Sequence, residues 1–98
     1  MEHTYDLYLM DFVPAKRGGV YSTSRRARTL RAHTIREAVE TCREEIEAND
    51  RRLEKECPTL RECVENGVAA SWRLVNATGR GQVSTFPDEE GLCGSQWS

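Results

Sequence analysis

A change of pattern at residues 33–37 constrains the fold of this chain more than any other sequence feature. Before it, apolar residues alternate as they do in β-strands; after it, they recur every three or four residues as in an α-helix. Thr34 and Glu37 form a capping box at the change. In this motif the threonine hydroxyl accepts a hydrogen bond from the Glu37 amide, and the glutamate side chain accepts one from the Thr34 amide. The sequence therefore predicts a strand that ends here and a helix that begins here.

The sign of the charge changes at the same point. Residues 12–36 carry seven basic side chains and no acid, whereas residues 37–50 carry six acids and one base. The net charge of −2 therefore hides two regions of opposite sign. Separated charge of this kind suits the binding of partners.

Two strands are predicted before the change, over residues 4–13 and 20–32. Pro14 and the Gly18–Gly19 pair predict a turn between them. The first strand is apolar on both faces, which is typical of an interior strand. We expect a bulge or distortion within residues 24–28, because this arginine-rich stretch is weak strand sequence.

Two helices are predicted after the change. The long one should end by residue 56, because Pro58 disfavours helical backbone at the residue before it. Thr59 and Glu62 form a second capping box that predicts a short helix, which Asn66–Gly67 would close.

The rest of the chain is predicted to add two strands, over residues 68–75 and 82–86, joined by a loop at residues 76–81. Pro87 is expected to stop the last strand. Residues 1–87 would then form a single domain, and residues 88–98 a polar, loosely ordered tail.

The element order β-β-α-(α)-β-β predicts an α+β fold. We expect an antiparallel sheet of three to four strands, with one long amphipathic helix packed on one face. The apolar faces of these elements predict a single core. Its members are Leu7, Leu9, Leu30, Ile35, Val39, Cys42, Ile46, Leu60, Trp72, Leu74 and Phe86.

No pattern predicts a metal site, a cofactor or enzymatic activity. Cys57 and Cys63 are separated by five residues, whereas paired zinc ligands have two to four between them. His33 lies beside Thr34 without a third group to orient it, so a catalytic pair is not indicated. No stretch approaches the roughly 18 apolar residues of a membrane span. With no signal peptide evident, the expected location is the cytoplasm, with all cysteines as free thiols.

The basic segment is the strongest candidate for binding. Its candidate residues are Arg25, Arg26, Arg28 and Arg31, together with Tyr21 and the turn residues Lys16 and Arg17. Three interpretations stay open. The arginines pair internally with acids, they contact an acidic protein, or they follow a nucleic-acid backbone while Tyr5 or Tyr8 stacks on a base. The net negative charge counts against a dedicated nucleic-acid binder.

The acidic helix gives a second candidate surface, formed by Glu40, Glu44 and Glu47. A row of carboxylates on one helix face suits a basic groove on a partner. Self-association of the chain is a further option, and no membrane partner is expected.

In size and strand–helix plan, the chain resembles the small α+β proteins with which phages and mobile elements inhibit host defences, anti-CRISPR proteins included. The resemblance rests on plan rather than on a motif, so it transfers no site residue. It implies a non-enzymatic inhibitor that binds stoichiometrically to a protein or ribonucleoprotein complex. The alternative is an RNA- or single-stranded nucleic-acid-binding domain that uses the basic second strand and its neighbouring tyrosines.

Overall fold

A computed structural model describes residues 2–78, 83–87 and 93–96, the last two segments by their backbone. In chain order the elements are β1 (His3–Pro14), β2 (Val20–Ala32), α1 (Ile35–Glu56), α2 (Pro58–Glu65), β3 (Trp72–Asn76), β4 (Val83–Pro87) and β5 (Cys93–Gln96). The strands form one antiparallel sheet in the order β2-β1-β3-β4-β5. The predicted α+β class is confirmed, although the fifth strand was not predicted.

The β1–β2 hairpin is the largest part of the sheet. β1 pairs with β2 on one side and β3 on the other, which confirms it as an interior strand. The register shifts between the pairs Leu7–Arg28 and Tyr8–Arg26, so Ala27 is an extra residue on β2. The distortion predicted for residues 24–28 is therefore a one-residue bulge.

α1 begins at the predicted cap. The Glu37 amide donates to the Thr34 hydroxyl at 3.1 Å. The Glu37 carboxylate accepts the amide of His33 at 3.4 Å, one residue before the expected Thr34. The helix ends at Glu56, as predicted.

The start of α2 differs from the prediction. The helix begins at Pro58, and its N-cap is Cys57 with no side-chain capping bond, so Thr59 is not a cap. Proline suits the first helical position because it has no N–H to satisfy and its φ is already helical. Asn66 closes the helix as expected, followed by Gly67 at a φ of +74°.

β3 is shorter at its start than predicted, because residues 68–71 are not strand. The amides of Val68 and Ala69 instead donate to the Cys63 carbonyl, at 2.9 and 3.3 Å. They complete the C-terminus of α2, whose last carbonyls need donors. Val68, predicted as the first residue of this strand, is consequently outside the sheet and 77% exposed.

The last two strands lie partly in the region predicted as a tail. β4 includes Pro87, which was expected to stop the strand and is instead its final residue, paired with Cys93 of β5. A proline at a strand end leaves the ladder intact. Residues 79–81 of the predicted loop, residue 82 of the predicted fourth strand, and residues 88–92, 97 and 98 of the predicted tail lie outside the described residues.

The described side chains form two core clusters rather than the one predicted. The first lies between α1 and the sheet and contains Tyr5, Leu7, Leu9, Leu30, Ala32, Ala38, Cys42, Ile46, Trp72 and Leu74, with Ile35 and Val39 partly buried against it. The second contains Met10, Leu53, Cys57 and Leu60. Leu60 therefore belongs to the second cluster, and the side chain of Phe86 lies outside the described residues.

The second cluster forms where β3 stops pairing with β1. β3 pairs with residues 5–9 of β1, after which the Met10 amide donates to the Ser71 carbonyl at 2.9 Å. Because both backbone groups of a residue point to one side in an antiparallel pair, the Met10 carbonyl faces this same edge. Asn49 of α1, itself buried, donates its Nδ2 to that carbonyl at 2.9 Å. The helix thus completes the hydrogen bonding where the sheet does not.

We expect Leu74→Ala to lower the free energy of unfolding by about 2–5 kcal/mol, since the side chain is fully buried in the first cluster. Urea denaturation would measure the change. Val68→Ala is the matched control, because an exposed side chain should alter stability by no more than about 0.5 kcal/mol. Equal losses in the two variants would contradict the placement of the core.

Candidate functional site

Three of the four candidate arginines on β2 have carboxylate partners within the protein. The pairs are Arg25–Asp11 at 3.4 Å, Arg28–Glu45 at 2.6 Å and Arg31–Glu2 at 3.6 Å. All the side chains are partly exposed, so each pair contributes no more than about 1 kcal/mol to stability. Their geometry matches internal pairing, the first of the three interpretations of the basic segment.

The bulge at Ala27 decides which arginines share a face. Directly paired residues of antiparallel strands point to the same face, so Arg25 and Arg28 lie with Leu7 and Leu9 on the face that carries α1. Strict alternation would have separated them, because they are three residues apart. Arg26 lies on the opposite face, and the described residues include no carboxylate within 4 Å of it.

Asp11 links the hairpin to α1. Its Oδ1 accepts hydrogen bonds from Arg52 Nη2 and from the Phe12 amide, both at 2.9 Å, and its Oδ2 lies 3.4 Å from Arg25 Nε. The Arg52 hydrogen bond and the other contacts hold the pKa of Asp11 below its ordinary value. The Arg52 guanidinium also lies over the Phe12 ring, 5.2 Å from its centre.

The acidic surface of α1 remains partly open. Glu40 is bonded to Arg43 on its own helix, with Arg43 Nε donating to Glu40 Oε2 at 3.1 Å. Glu44 and Glu47 are exposed, and within the described part of the chain neither has a basic group within 4 Å. These two are the carboxylates that a partner can reach without displacing an internal bond.

The tip of the hairpin, residues 13–21, is here called the arm. Its turn is closed by the Ala15 amide, which donates to the Gly19 carbonyl at 3.0 Å, and by the Gly18 amide, which donates to the Ala15 carbonyl at 3.3 Å. Gly18 and Gly19 have φ values of +93° and +81°, which side-chain-bearing residues rarely adopt. Lys16 and Arg17 precede them and are exposed.

Apolar side chains are exposed beside these cations. Val13 is 45% exposed, Val20 37% and Tyr21 61%. Among the residues described here, neither Lys16 nor Arg17 has a carboxylate partner. The arm therefore presents two cations and three apolar groups beyond the part of β1 that the helices cover.

The three tyrosines have different environments. Tyr5, proposed from sequence to stack on a base, is 4% exposed and belongs to the first core cluster, so that part of the prediction is wrong. Its burial follows from alternation with Leu7 on the inward face of β1. Tyr8 is half-buried on the opposite face, and Tyr21 lies on the arm.

The three cysteines whose side chains are described are free thiols. Cys42 and Cys57 are buried in the two core clusters and Cys63 is half-buried. Burial raises the pKa of the Cys42 thiol, which keeps it protonated and unreactive. No group of three metal-ligating side chains occurs in residues 2–78.

Comparison with known proteins gives no relative: no family model, curated protein or solved structure matches this chain. None of the helices that the structure describes is long and apolar enough to cross a bilayer.

Sequence reasoning identified Lys16, Arg17 and Tyr21 but missed the apolar part of the arm. Val13 and Val20 flank the turn, and as apolar residues of predicted strands they would be expected to pack in the core. The available signal was their position beside the predicted turn. Apolar side chains at the tip of a hairpin have little of their own chain to pack against, so their exposure could have been expected.

We expect Asp11→Asn to lower stability at neutral pH by about 1 kcal/mol, since it weakens charge-assisted bonds to Arg52 and Arg25. The pKa of Asp11 is lowered by folding, so its contribution is present above the ordinary value of 3.8 and is lost as the pH falls through the folded pKa. Chemical denaturation at neutral and acidic pH would measure this. In the control, Glu44→Gln, the free energy of unfolding should change little at either pH. If Asp11→Asn lowered the free energy of unfolding equally at both pH values, the stabilising role of the ionised Asp11 would be contradicted.

Proposed function

We propose that this protein is a non-enzymatic binding protein that associates stoichiometrically with a protein or ribonucleoprotein complex through its arm. The observation that carries the proposal is the exposed combination of Lys16 and Arg17 with Val13, Val20 and Tyr21. Tyrosine and arginine are enriched in protein interfaces and are prominent among the residues that contribute most to affinity.

The partner that suits the arm has an apolar recess bordered by carboxylates. Exposed apolar groups gain free energy when a partner removes them from water. The cations beside them favour an acidic rim and speed association. Two backbone hydrogen bonds, from the Ala15 amide to the Gly19 carbonyl and from the Gly18 amide to the Ala15 carbonyl, hold the turn in one conformation, which lowers the entropy lost on binding.

The paired arginines of β2 have a different role in this proposal. Arg25 and Arg28 hold the hairpin to itself and to α1, so they position the arm rather than contact the partner. The contact residues are those of the arm. Binding at such a surface inhibits an assembly by occluding it, as the resemblance to phage-encoded inhibitors of host defence implies.

Neutralising the arm tests the proposal. We expect Lys16→Gln/Arg17→Gln to weaken complex formation about tenfold, because two charges of the contact are removed, and Tyr21→Ala to weaken it by a similar factor. The measurement is affinity purification from an extract of the organism that encodes the protein, with quantitative mass spectrometry, followed by titration of the recovered partner.

The matched control removes the same charge elsewhere. Arg51→Gln/Lys55→Gln changes two exposed cations of α1 and should leave the affinity unchanged. A partner that the wild type and both double variants recover equally would refute the role of the arm. Thermal melting of each variant separates loss of binding from loss of fold.

The open carboxylates of α1 form a second proposed contact. Glu44→Gln/Glu47→Gln should weaken binding less than the arm variant, because these groups carry charge without adjacent exposed apolar surface. It should also reduce the salt dependence of association. If Glu44→Gln/Glu47→Gln lowered the affinity more than Lys16→Gln/Arg17→Gln, the main contact would lie on the helix instead of the arm.

A further inference from the structure

A row of three side chains crosses the sheet on the face opposite the first core cluster. Tyr8 of β1 is paired directly with Arg26 of β2 on one side and with Arg73 of β3 on the other. The Arg73 guanidinium lies over the Tyr8 ring, 4.5 Å from its centre. The row therefore has an aromatic ring at its centre and a cation on each side.

An open cleft of about 350 Å³ adjoins this row. Its lining combines aromatic, basic, hydroxyl and apolar residues, namely Tyr8, Leu9, Met10, Ser22, Thr23, Ser24, Ala69, Ala70, Trp72 and Arg73. Among the residues that the structure describes, none of those lining the cleft is acidic. Its volume lies within the range of about 300–1,000 Å³ that is common for small-ligand sites.

We propose that this cleft is a nucleotide-binding site, in which Tyr8 contacts the base while Arg73 and Arg26 contact the phosphate. Aromatic side chains on a sheet stack on bases, and arginine binds phosphate oxygens through two parallel N–H groups. The nucleotide is either free or part of a single strand, since both present the same base and phosphate.

The charges around the row favour an anion. Among the described residues, neither Arg26 nor Arg73 has a carboxylate within 4 Å, in contrast with the paired arginines of β2. Asp6 lies on the same face, one row along β1, and accepts the Thr29 hydroxyl at 2.6 Å. The cations of the row are thus available to a ligand without the loss of an internal ion pair.

Ser22 and Ser24 add to the specificity of the cleft. Their hydroxyl groups donate to and accept from base edges or phosphate oxygens, which apolar walls cannot do. A nucleotide combines the ring and the negative charge that these groups together recognise.

This inference does not rest on the proposed role of the arm, none of whose residues lines the cleft. The test uses the full chain at low salt, with a fluorescein-labelled oligouridine followed by anisotropy and with adenosine monophosphate followed by amide chemical shifts. Shifts centred on residues 8, 26 and 73 with the monophosphate assign a free nucleotide. Saturable binding of the oligouridine alone, with the same shifts, assigns a single strand.

Variants separate stacking from charge. Tyr8→Leu should weaken binding at least about fivefold, the range expected for loss of one stacked base. Arg73→Gln and Arg26→Gln should each weaken it and lower the slope of log affinity against log salt by about 0.7, as expected for one phosphate contact to a single strand. Arg51→Gln removes the same charge from α1 and should leave affinity unchanged.

Three results would overturn the proposal: no binding of either probe at low salt, equal loss in Arg51→Gln and Arg73→Gln, or equally strong competition by an acidic peptide of the same charge. The last would show recognition of charge alone. If Tyr8→Leu does not fold, Tyr8→Phe provides the alternative test, because it keeps the aromatic ring and should retain binding. The amide chemical-shift changes of the wild-type protein locate the site in either case.

Discussion

The hydrogen bond from Asn49 to the Met10 carbonyl is the contact on which the arrangement of the other elements depends. A buried carbonyl without a donor would cost about 1–3 kcal/mol, and β3 begins only at Trp72, the partner of Leu9, so its ladder does not include Met10. Asn49 therefore fixes where α1 crosses the edge of β1. That crossing places Leu53 and α2 beside Met10, and it places Arg52 within reach of Asp11.

Beyond Met10, the side of β1 that faces β3 has no neighbouring strand, yet it offers few free backbone groups to a further strand. The Phe12 amide is satisfied by the Asp11 carboxylate, and Pro14, the next residue facing this way, has no N–H. Side-chain bonding and proline both discourage pairing with another strand. Contacts made by the arm would therefore come from side chains rather than from strand addition at this edge.

Charge segregation has two outcomes in the folded protein. Where the basic strand meets α1, opposite charges join the elements, as in the pair Arg28–Glu45. Away from that contact the charges stay open, as at Lys16, Arg26 and Glu44. The bulge at Ala27 divides the arginines between these outcomes, because it turns Arg25 to the helix side and leaves Arg26 on the other.

The sequence by itself determined the fold class, the hairpin, the cap at Thr34 and the end of α1, since these depend on alternation, capping and proline within a few residues. Only the tertiary structure decided the two core clusters, the start of β3 and the partners of the arginines. Val68 reads locally as a strand residue, yet its amide completes the end of α2. Alternation places Tyr5 and Tyr8 on opposite faces of β1, and the position of α1 decides which of the two faces is buried. Such outcomes depend on which elements meet, and local pattern does not encode that.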